Sequence, residues 1–116
     1  MNVKVIHFNS TTKTFVTVAN VATNFTNDLA GCEYAFRHTQ NIDGSWSQGE
    51  LINYDHVHMI DNPDFNPDVE VIAPLPSHLG RTYGHRSSMV GDLFVVNERI
   101  YVCASFGFQL YAPEIA

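Results

Sequence analysis

Hydrophobic and polar positions alternate along two segments near the start of the chain. In Asn2–Phe8, valines alternate with polar residues before a short apolar run, and Thr14–Val21 is rich in β-branched residues. A period of two is typical of strands with one buried face. Residues 9–13 between the two segments are polar and suit a turn. The pattern therefore predicts a hairpin of two antiparallel strands.

The period changes to that of a helix between residues 29 and 42. The positions that form one stripe at this spacing are Leu29, Cys32, Ala35, Phe36, Thr39 and Ile42. Asn24, Thr26 or Asn27 can cap the start, because their side chains accept hydrogen bonds from the first helical N–H groups. Residues 41–44 favour a stop, with the final glycine available for a left-handed cap.

The last third of the chain carries the densest apolar runs. Leu93–Val96 and Ile100–Ala104 are separated by the polar residues 97–99, which predicts a second hairpin. Phe108–Tyr111 would add a further strand to it. Val69–Ile72 also alternates, but prolines follow it closely, so we expect an edge strand or an extended arm.

Residues 55–84 are expected to be a loop-rich insert within a single domain that spans residues 1–116. Leu51–Tyr54 and Val57–Ile60 favour short strands, and Ser77–Gly84 is expected to be a flexible connector. One amphipathic helix and several strands can bury their apolar faces by packing in two layers. We therefore predict an α+β fold in which one main helix packs on an antiparallel sheet of four to six strands.

The charge of the chain argues against nucleic acid as a direct partner. The 116 residues include six lysines and arginines against twelve acids, for a net charge of −6, whereas binding to phosphates requires a basic surface. No apolar run approaches the ~20 residues of a membrane span, and the short alternating segment after Met1 leads us to expect no signal peptide. Cys32 and Cys103 each lie in an apolar pattern, so we expect buried, reduced thiols in a cytoplasmic protein.

Two segments resemble a recurring group of small proteins from phages and mobile elements. Residues 35–42, AFRHTQNI, are similar to the end of that group's helix, A-[FY]-x-x-T-[NQ]-N. Arg86–Asp92 followed by Tyr101–Phe108 is similar to its ending, R-S-x-S-V-G-D…Y-x-C-x-x-x-G-[FW], although Met89 stands where the group usually has a serine. The resemblance implies a phage-encoded accessory protein of unknown function in the host cytoplasm, and it supplies no catalytic residues.

The segment Asp55-His56-Val57-His58 is the best metal candidate in the sequence. On a strand, His56 and His58 would project to the same face, and imidazole is a common ligand of transition metals. A site would need further ligands, for which the candidates are Asp61, Asp64 and His78. A polar strand face beside a loop explains the two histidines without a metal, so we assign neither a metal nor a cofactor.

The segment from His85 to Asp92 contains hydroxyl, imidazole and carboxylate groups. Such groups form a nucleophilic site only when they are oriented in a chain of hydrogen bonds. The structural alternative is that Ser87 or Ser88 and Asp92 bind backbone amides and fix a turn. Arg86 would then pair with Asp92 or with a carboxylate on the partner strand.

Two aromatic residues complete the predicted binding set of Trp46, Phe65, Arg86 and Asp92. Trp46 either closes one end of the core or anchors an interface, a role in which tryptophan is enriched. Phe65 stands among polar neighbours in the insert and is expected to be exposed.

The leading hypothesis is a protein without catalytic activity that binds a host or phage protein and modulates it. The alternative is a small metal- or ligand-binding enzyme that uses the region of His56, His58 and His85. A third hypothesis is a virion or other self-assembling structural protein, which exposed strand edges would favour. A homodimer is a further candidate assembly. Neither nucleic acid nor a membrane is expected as a partner.

Overall fold

The structure, a computed structural model, describes residues 1–52 and 58–111. Its elements in this part of the chain are β1 Asn2–Asn9, β2 Thr14–Ala22, α1 Asp28–Arg37, β3 Glu50–Ile52, β4 Met59–Asp61, β5 Val69–Val71, β6 Ser77–His78, β7 Arg81–Thr82, β8 Leu93–Val96, β9 Arg99–Cys103 and β10 Phe108–Leu110. No helix among the described residues is both long and apolar enough to cross a membrane.

Six of the strands form one antiparallel sheet in the order β10-β9-β8-β1-β2-β5. Helix α1 packs against β1 and β8 on one face of this sheet, which confirms the predicted α+β fold. Both predicted hairpins are present, as β1–β2 and β8–β9, and β5 is an edge strand beside β2. The other strands form two small ribbons, β3 with β4 and β6 with β7.

The core lies between helix α1 and the central strands. Val3 and Val5 of β1 stand opposite Val21 and Ala19 of β2, and Phe94 of β8 pairs with Val5 from the other side. Directly paired residues place their side chains on the same face of a sheet, and all five of these are completely buried. Burial of each valine or phenylalanine side chain contributes about 1.5–3 kcal/mol, so this alternation holds the two layers together.

The start of helix α1 is capped as predicted. The Asn27 side chain accepts a hydrogen bond from the backbone N–H of Ala30 at 3.1 Å. Asp28 follows in the first turn, where the helix dipole favours a negative charge. Gly31 lies against β1, because a Cβ atom at this position would lie 3.3 Å from Cγ2 of Val3 and 3.0 Å from the sulfur of the preceding Met1. The glycine therefore permits the close approach of helix and sheet.

The end of helix α1 differs from the prediction. The helix stops at Arg37 rather than at residues 41–44. The Thr39 hydroxyl donates to the carbonyl of Ala35 at 2.8 Å and so occupies an acceptor of the last helical turn. A side chain that satisfies such a carbonyl allows the backbone to leave the helix. Ile42, the last position of the predicted stripe, is consequently 70% exposed.

Three further predictions are wrong in detail. Leu29, the first position of the predicted stripe, is exposed. Gly44 does not adopt the left-handed conformation, and its role is steric, because a Cβ atom there would collide with the Asn62 side chain. Residues 77–84, which were expected to form only a connector, contain the ribbon of β6 and β7.

Candidate functional site

The Asp92 carboxylate organises the turn that precedes β8. It is completely buried, and Arg86 donates two hydrogen bonds to it, from Nη1 to Oδ2 at 2.7 Å and from Nη2 to Oδ1 at 2.8 Å. The backbone N–H groups of Phe8 and Met89 donate to the same carboxylate at 2.9 and 2.8 Å. The structural interpretation of this segment is thus confirmed: Asp92 fixes the turn through backbone amides, and Arg86 pairs with Asp92.

The electrostatics of this pair depend on its hydrogen bonds. Burial raises the pKa of the Asp92 carboxyl, but the bonds from Arg86 and from the two backbone N–H groups outweigh it, so the pKa lies below its ordinary value. The bond to Asp92 in turn raises the pKa of Arg86. Both groups are therefore charged at neutral pH, as a bidentate pair of arginine and carboxylate.

Arg86 and Asp92 also complete the hydrogen bonding of β1 beyond the end of β8. The last residue of β1 that pairs with β8 is Ile6, opposite Leu93. Further along β1, the Phe8 N–H donates to Asp92, and the Phe8 carbonyl accepts from Arg86 Nη2 at 3.0 Å. The side chains of the ion pair thus make the two hydrogen bonds to Phe8 that a further residue of the neighbouring strand would otherwise make.

His7 is a buried member of this site that the sequence analysis does not single out. Its side chain lies on the same face of β1 as Val3 and Val5, and the residue is only 6% exposed. Nε2 lies 2.9 Å from the Ser88 hydroxyl, which lies 2.7 Å from that of Thr39. The alternation of β1 was the available signal, because it places position 7 on the buried face.

The contacts of His7 do not form a nucleophilic triad. In such a triad the carboxylate binds the ring nitrogen that does not face the serine. Here the same atom, Nε2, lies 2.9 Å from Ser88 Oγ and 3.8 Å from Asp92 Oδ2. Ser88 is also only 3% exposed, and its backbone N–H donates to the Thr39 carbonyl at 2.9 Å. The network therefore holds the turn against the end of α1.

Trp46 and His85 lie next to one another at this end of the core. Trp46 is 2% exposed, and its indole N–H donates to the Arg86 carbonyl at 2.8 Å. The His85 ring stacks on the indole with the ring centres 5.8 Å apart. Trp46 therefore closes the core, in agreement with the first of its two interpretations, and it presents no surface for a partner.

Phe65 is 55% exposed, as its polar surroundings suggest. It borders a small hollow of about 310 Å³ between the insert and the segment after α1. The adjacent carboxylate of Asp64 already accepts the backbone N–H groups of Ile42, Asp43 and Gly44. The anion-binding backbone groups next to Phe65 are thus occupied by the chain itself.

One of the two central residues of the metal hypothesis lies outside the described part of the chain. His56 lies outside the described residues, and the exposed His58 follows directly after the gap. Within residues 1–52 and 58–111, no group of three or more potential metal ligands is brought together. The metal site therefore stays a prediction.

A cleft of about 590 Å³ opens beside the β1–β2 hairpin. Its apolar walls are formed by Phe8, Val16, Val18, Ala73, Pro74 and Pro76, and its polar groups come from His7, Asn9, Ser10, His85 and Arg86. None of these described lining residues carries a carboxylate, although the chain as a whole is acidic. The cleft is thus the largely apolar, concave kind of site that ligands favour, with a few polar groups.

The strand β2 leaves an open edge beside this cleft. β5 pairs only with Ala19–Val21 of β2, and the Ile72 N–H then donates to the Val18 carbonyl before the chain departs. The Phe8 backbone groups point away from β2, so its direct partner Phe15 must point its own N–H and C=O away from β1. In the described part of the chain these two groups of Phe15 have no hydrogen-bond partner.

Comparisons with known proteins do not classify the chain. No family model matches it, and no similar curated protein or solved structure was found.

Proposed function

We propose that this protein is a phage or mobile-element accessory protein that acts without catalysis, by binding an extended segment of a host or phage protein as an added strand on β2. The observation that carries the proposal is the unpaired Phe15 backbone next to an apolar cleft. In strand addition, main-chain hydrogen bonds supply affinity, and pockets for alternate side chains supply specificity.

The two sides of the β1–β2 hairpin support this proposal by their contrast. On the β8 side, the chain uses Arg86 and Asp92 to satisfy Phe8 where the neighbouring strand ends. On the β2 side, no described residue does the same for Phe15. Natural sheets usually protect such edges with charged residues or proline, yet the segment Thr14–Thr17 has neither. An edge left open in this way suits a partner that supplies backbone groups.

The cleft lies on the side of the hairpin that an added strand would use. Val16 pairs with His7, so the two side chains share one face, and both line the cleft. A residue of the added strand opposite Val16 would place its side chain on this face. One strand can thus use the open edge and fill the cleft at the same time.

A second copy of the chain is a less suitable occupant than another protein. Two β2 strands that pair antiparallel through Phe15 would place Thr14 or Val16 of the second copy opposite Val16. Both side chains are small for a cleft of about 590 Å³. A partner segment with a large side chain at this position fills the cleft better.

The test selects binders from a library of displayed random peptides and measures amide hydrogen exchange. We expect selected peptides to protect the Phe15 amide. Phe15→Pro should abolish binding, because proline lacks the outward N–H but leaves the β1–β2 ladder intact. The matched control Phe15→Ala removes the ring and keeps the N–H, so it should retain most of the affinity.

Two results would refute the proposal. One is equal binding of the peptides to Phe15→Pro and Phe15→Ala. The other is protection confined to α1 or to the hollow near Phe65. Protection of Phe15 by the free protein at high concentration, together with a dimeric mass in light scattering, would assign the edge to a second copy instead.

A further inference from the structure

Two imidazole rings, those of His7 and His85, line the cleft, and their hydrogen bonds indicate which nitrogen carries the proton. The His85 ring lies with Nε2 3.1 Å from the carbonyl oxygen of Ala73. A carbonyl only accepts hydrogen bonds, so Nε2 of His85 carries the proton. When the ring is neutral, its other nitrogen, Nδ1, is an acceptor.

The tautomer of His7 follows from a chain of hydroxyl groups. The Thr39 hydroxyl lies 2.8 Å from the Ala35 carbonyl, which only accepts, and 2.7 Å from the Ser88 hydroxyl, where either oxygen can be the donor. We assign the Thr39 proton to the Ala35 carbonyl, so that Thr39 accepts from Ser88. Ser88 has then used its own proton and must accept from Nε2 of His7 at 2.9 Å. His7 therefore also carries its proton on Nε2. Burial lowers the pKa of His7 to about 4, which keeps the ring neutral at physiological pH.

Nδ1 of His7 is left as a second acceptor in the cleft. It has no hydrogen-bond partner among the described residues. In that part of the chain only the Ser45 hydroxyl is both unpaired and fully buried, so the unpaired Nδ1 of His7 retains some exposure to solvent. Both imidazoles thus offer lone pairs rather than N–H groups to a ligand.

Arg86 adds no free fork for an anion. Its two Nη atoms already donate to Asp92 twice and to the carbonyls of Ser87 and Phe8. This leaves only the Nε–H of its five N–H groups. A carboxylate in the cleft would therefore meet two acceptors and no bidentate donor, and a cationic ligand would face the guanidinium charge.

We propose that the cleft selects a neutral aromatic side chain that donates a hydrogen bond, such as the indole of tryptophan or the phenol of tyrosine. The apolar walls, Val16, Val18, Pro74 and Pro76, suit the ring, and the two imidazole acceptors select the N–H or O–H. The inference rests on the proposed strand addition, because it names the residue that the added strand places opposite Val16.

The test compares indole with benzofuran, which has nearly the same shape but an oxygen in place of the N–H. Binding to the intact protein is followed by NMR, with the ring nitrogens of His7 and His85 observed directly. We expect indole to bind about 3- to 10-fold more tightly, the ratio that one net hydrogen bond supplies. We also expect the Nδ1 resonance of at least one of the two histidines to shift on addition of indole and not of benzofuran.

Variants separate this inference from the proposed function. His85→Phe keeps a ring against Trp46 and removes one acceptor, so it should reduce the preference for indole. The control His78→Gln changes a histidine that does not line the cleft, so it should leave the preference unchanged. Phe15→Pro should abolish peptide binding but not indole binding. Equal affinities for indole and benzofuran, or unchanged Nδ1 resonances, would overturn the inference even if peptides still protect Phe15.

Discussion

Replacing Asp92 with asparagine tests whether its carboxylate holds the turn, β1 and the end of α1 together. The change preserves the shape of the side chain and converts one oxygen to an NH₂ group. Each oxygen accepts two hydrogen bonds, one from Arg86 and one from a backbone N–H of Phe8 or Met89. Whichever oxygen becomes the NH₂ group, the Arg86 N–H and the backbone N–H that donated to it then face another donor.

The cost follows from burial. Asp92 is completely buried, and its loss as an anion leaves the Arg86 charge without its partner. Removal of one partner from a fully buried ion pair destabilises proteins by about 3–5 kcal/mol. The Arg86 side chain is 38% exposed, so water screens the charge that is left, and we expect a smaller loss of about 2–3 kcal/mol from the unsatisfied hydrogen bonds at the buried residue 92. A chain of this length is expected to have a free energy of unfolding of roughly 6–17 kcal/mol, at about 0.05–0.15 kcal/mol per residue. Asp92→Asn should therefore remove a readily measurable part of the stability.

The assay is urea unfolding followed by the fluorescence of Trp46, the one tryptophan, whose indole N–H donates to the Arg86 carbonyl. The matched control is Asp28→Asn, because Asp28 also accepts several side-chain hydrogen bonds but forms its ion pair with the exposed Arg99. We expect a much smaller loss for the control. A loss below about 1 kcal/mol for Asp92→Asn would refute the reasoning, since that is the effect of an ordinary surface contact.

Three further outcomes are expected. Burial lowers the pKa of His7 from 6.5 to about 4, so the unfolded chain binds this proton at a higher pH than the folded protein does. The free energy of unfolding should therefore fall by at most about 3 kcal/mol as the pH drops from 6.5 to 4. If His7→Gln shows the same dependence of unfolding free energy on pH, this explanation is wrong. Gly84→Ala should destabilise by about 1–3 kcal/mol, because its Cβ would collide with the Ser45 hydroxyl. Ser45→Ala should rescue it in part in thermal melts, since Gln48 Oε1 and Ser47 Oγ would still lie 3.0 Å from the new Cβ. An additive double variant would exclude the collision with Ser45. Thiol reagents should label the folded protein slowly, because both cysteines are buried and burial raises the pKa of Cys32 to about 12 and also that of Cys103; rapid labelling at neutral pH without denaturant would show that the thiols are accessible.

Several features of the site could be predicted because they are local. Asp92 and Arg86 lie only six residues apart along the chain. Their spacing therefore predicts that the carboxylate fixes the turn and pairs with the arginine. The N-cap Asn27 is local in the same way, because it accepts from the N–H of Ala30, three residues later. The stop of α1 at Arg37 was not predicted. There the Thr39 hydroxyl contacts both the Ala35 carbonyl, four residues back, and the Ser88 hydroxyl, 49 residues along the chain, and the second contact is not visible in the local pattern.

The partner of Ser88 could not be predicted. The sequence offers His85 as its nearest histidine, but the structure brings in His7, which lies 81 residues away along the chain. Position 7 was recognisable as a buried position of β1 by alternation alone. Which polar group it would meet depends on the placement of the turn after the sheet has formed.

By itself, the sequence determined the fold class, the two hairpins, the capped start of the helix and the turn at Asp92, because periodicity and turn chemistry act over a few neighbouring residues. Only the tertiary structure decided the cleft and the open edge at Phe15. These depend on where β5 leaves β2 and on which side of β1 the Arg86–Asp92 pair reaches. Both features depend on contacts between elements that are distant in sequence. The candidate site lies where β5 and the Arg86–Asp92 turn stop covering the β1–β2 hairpin.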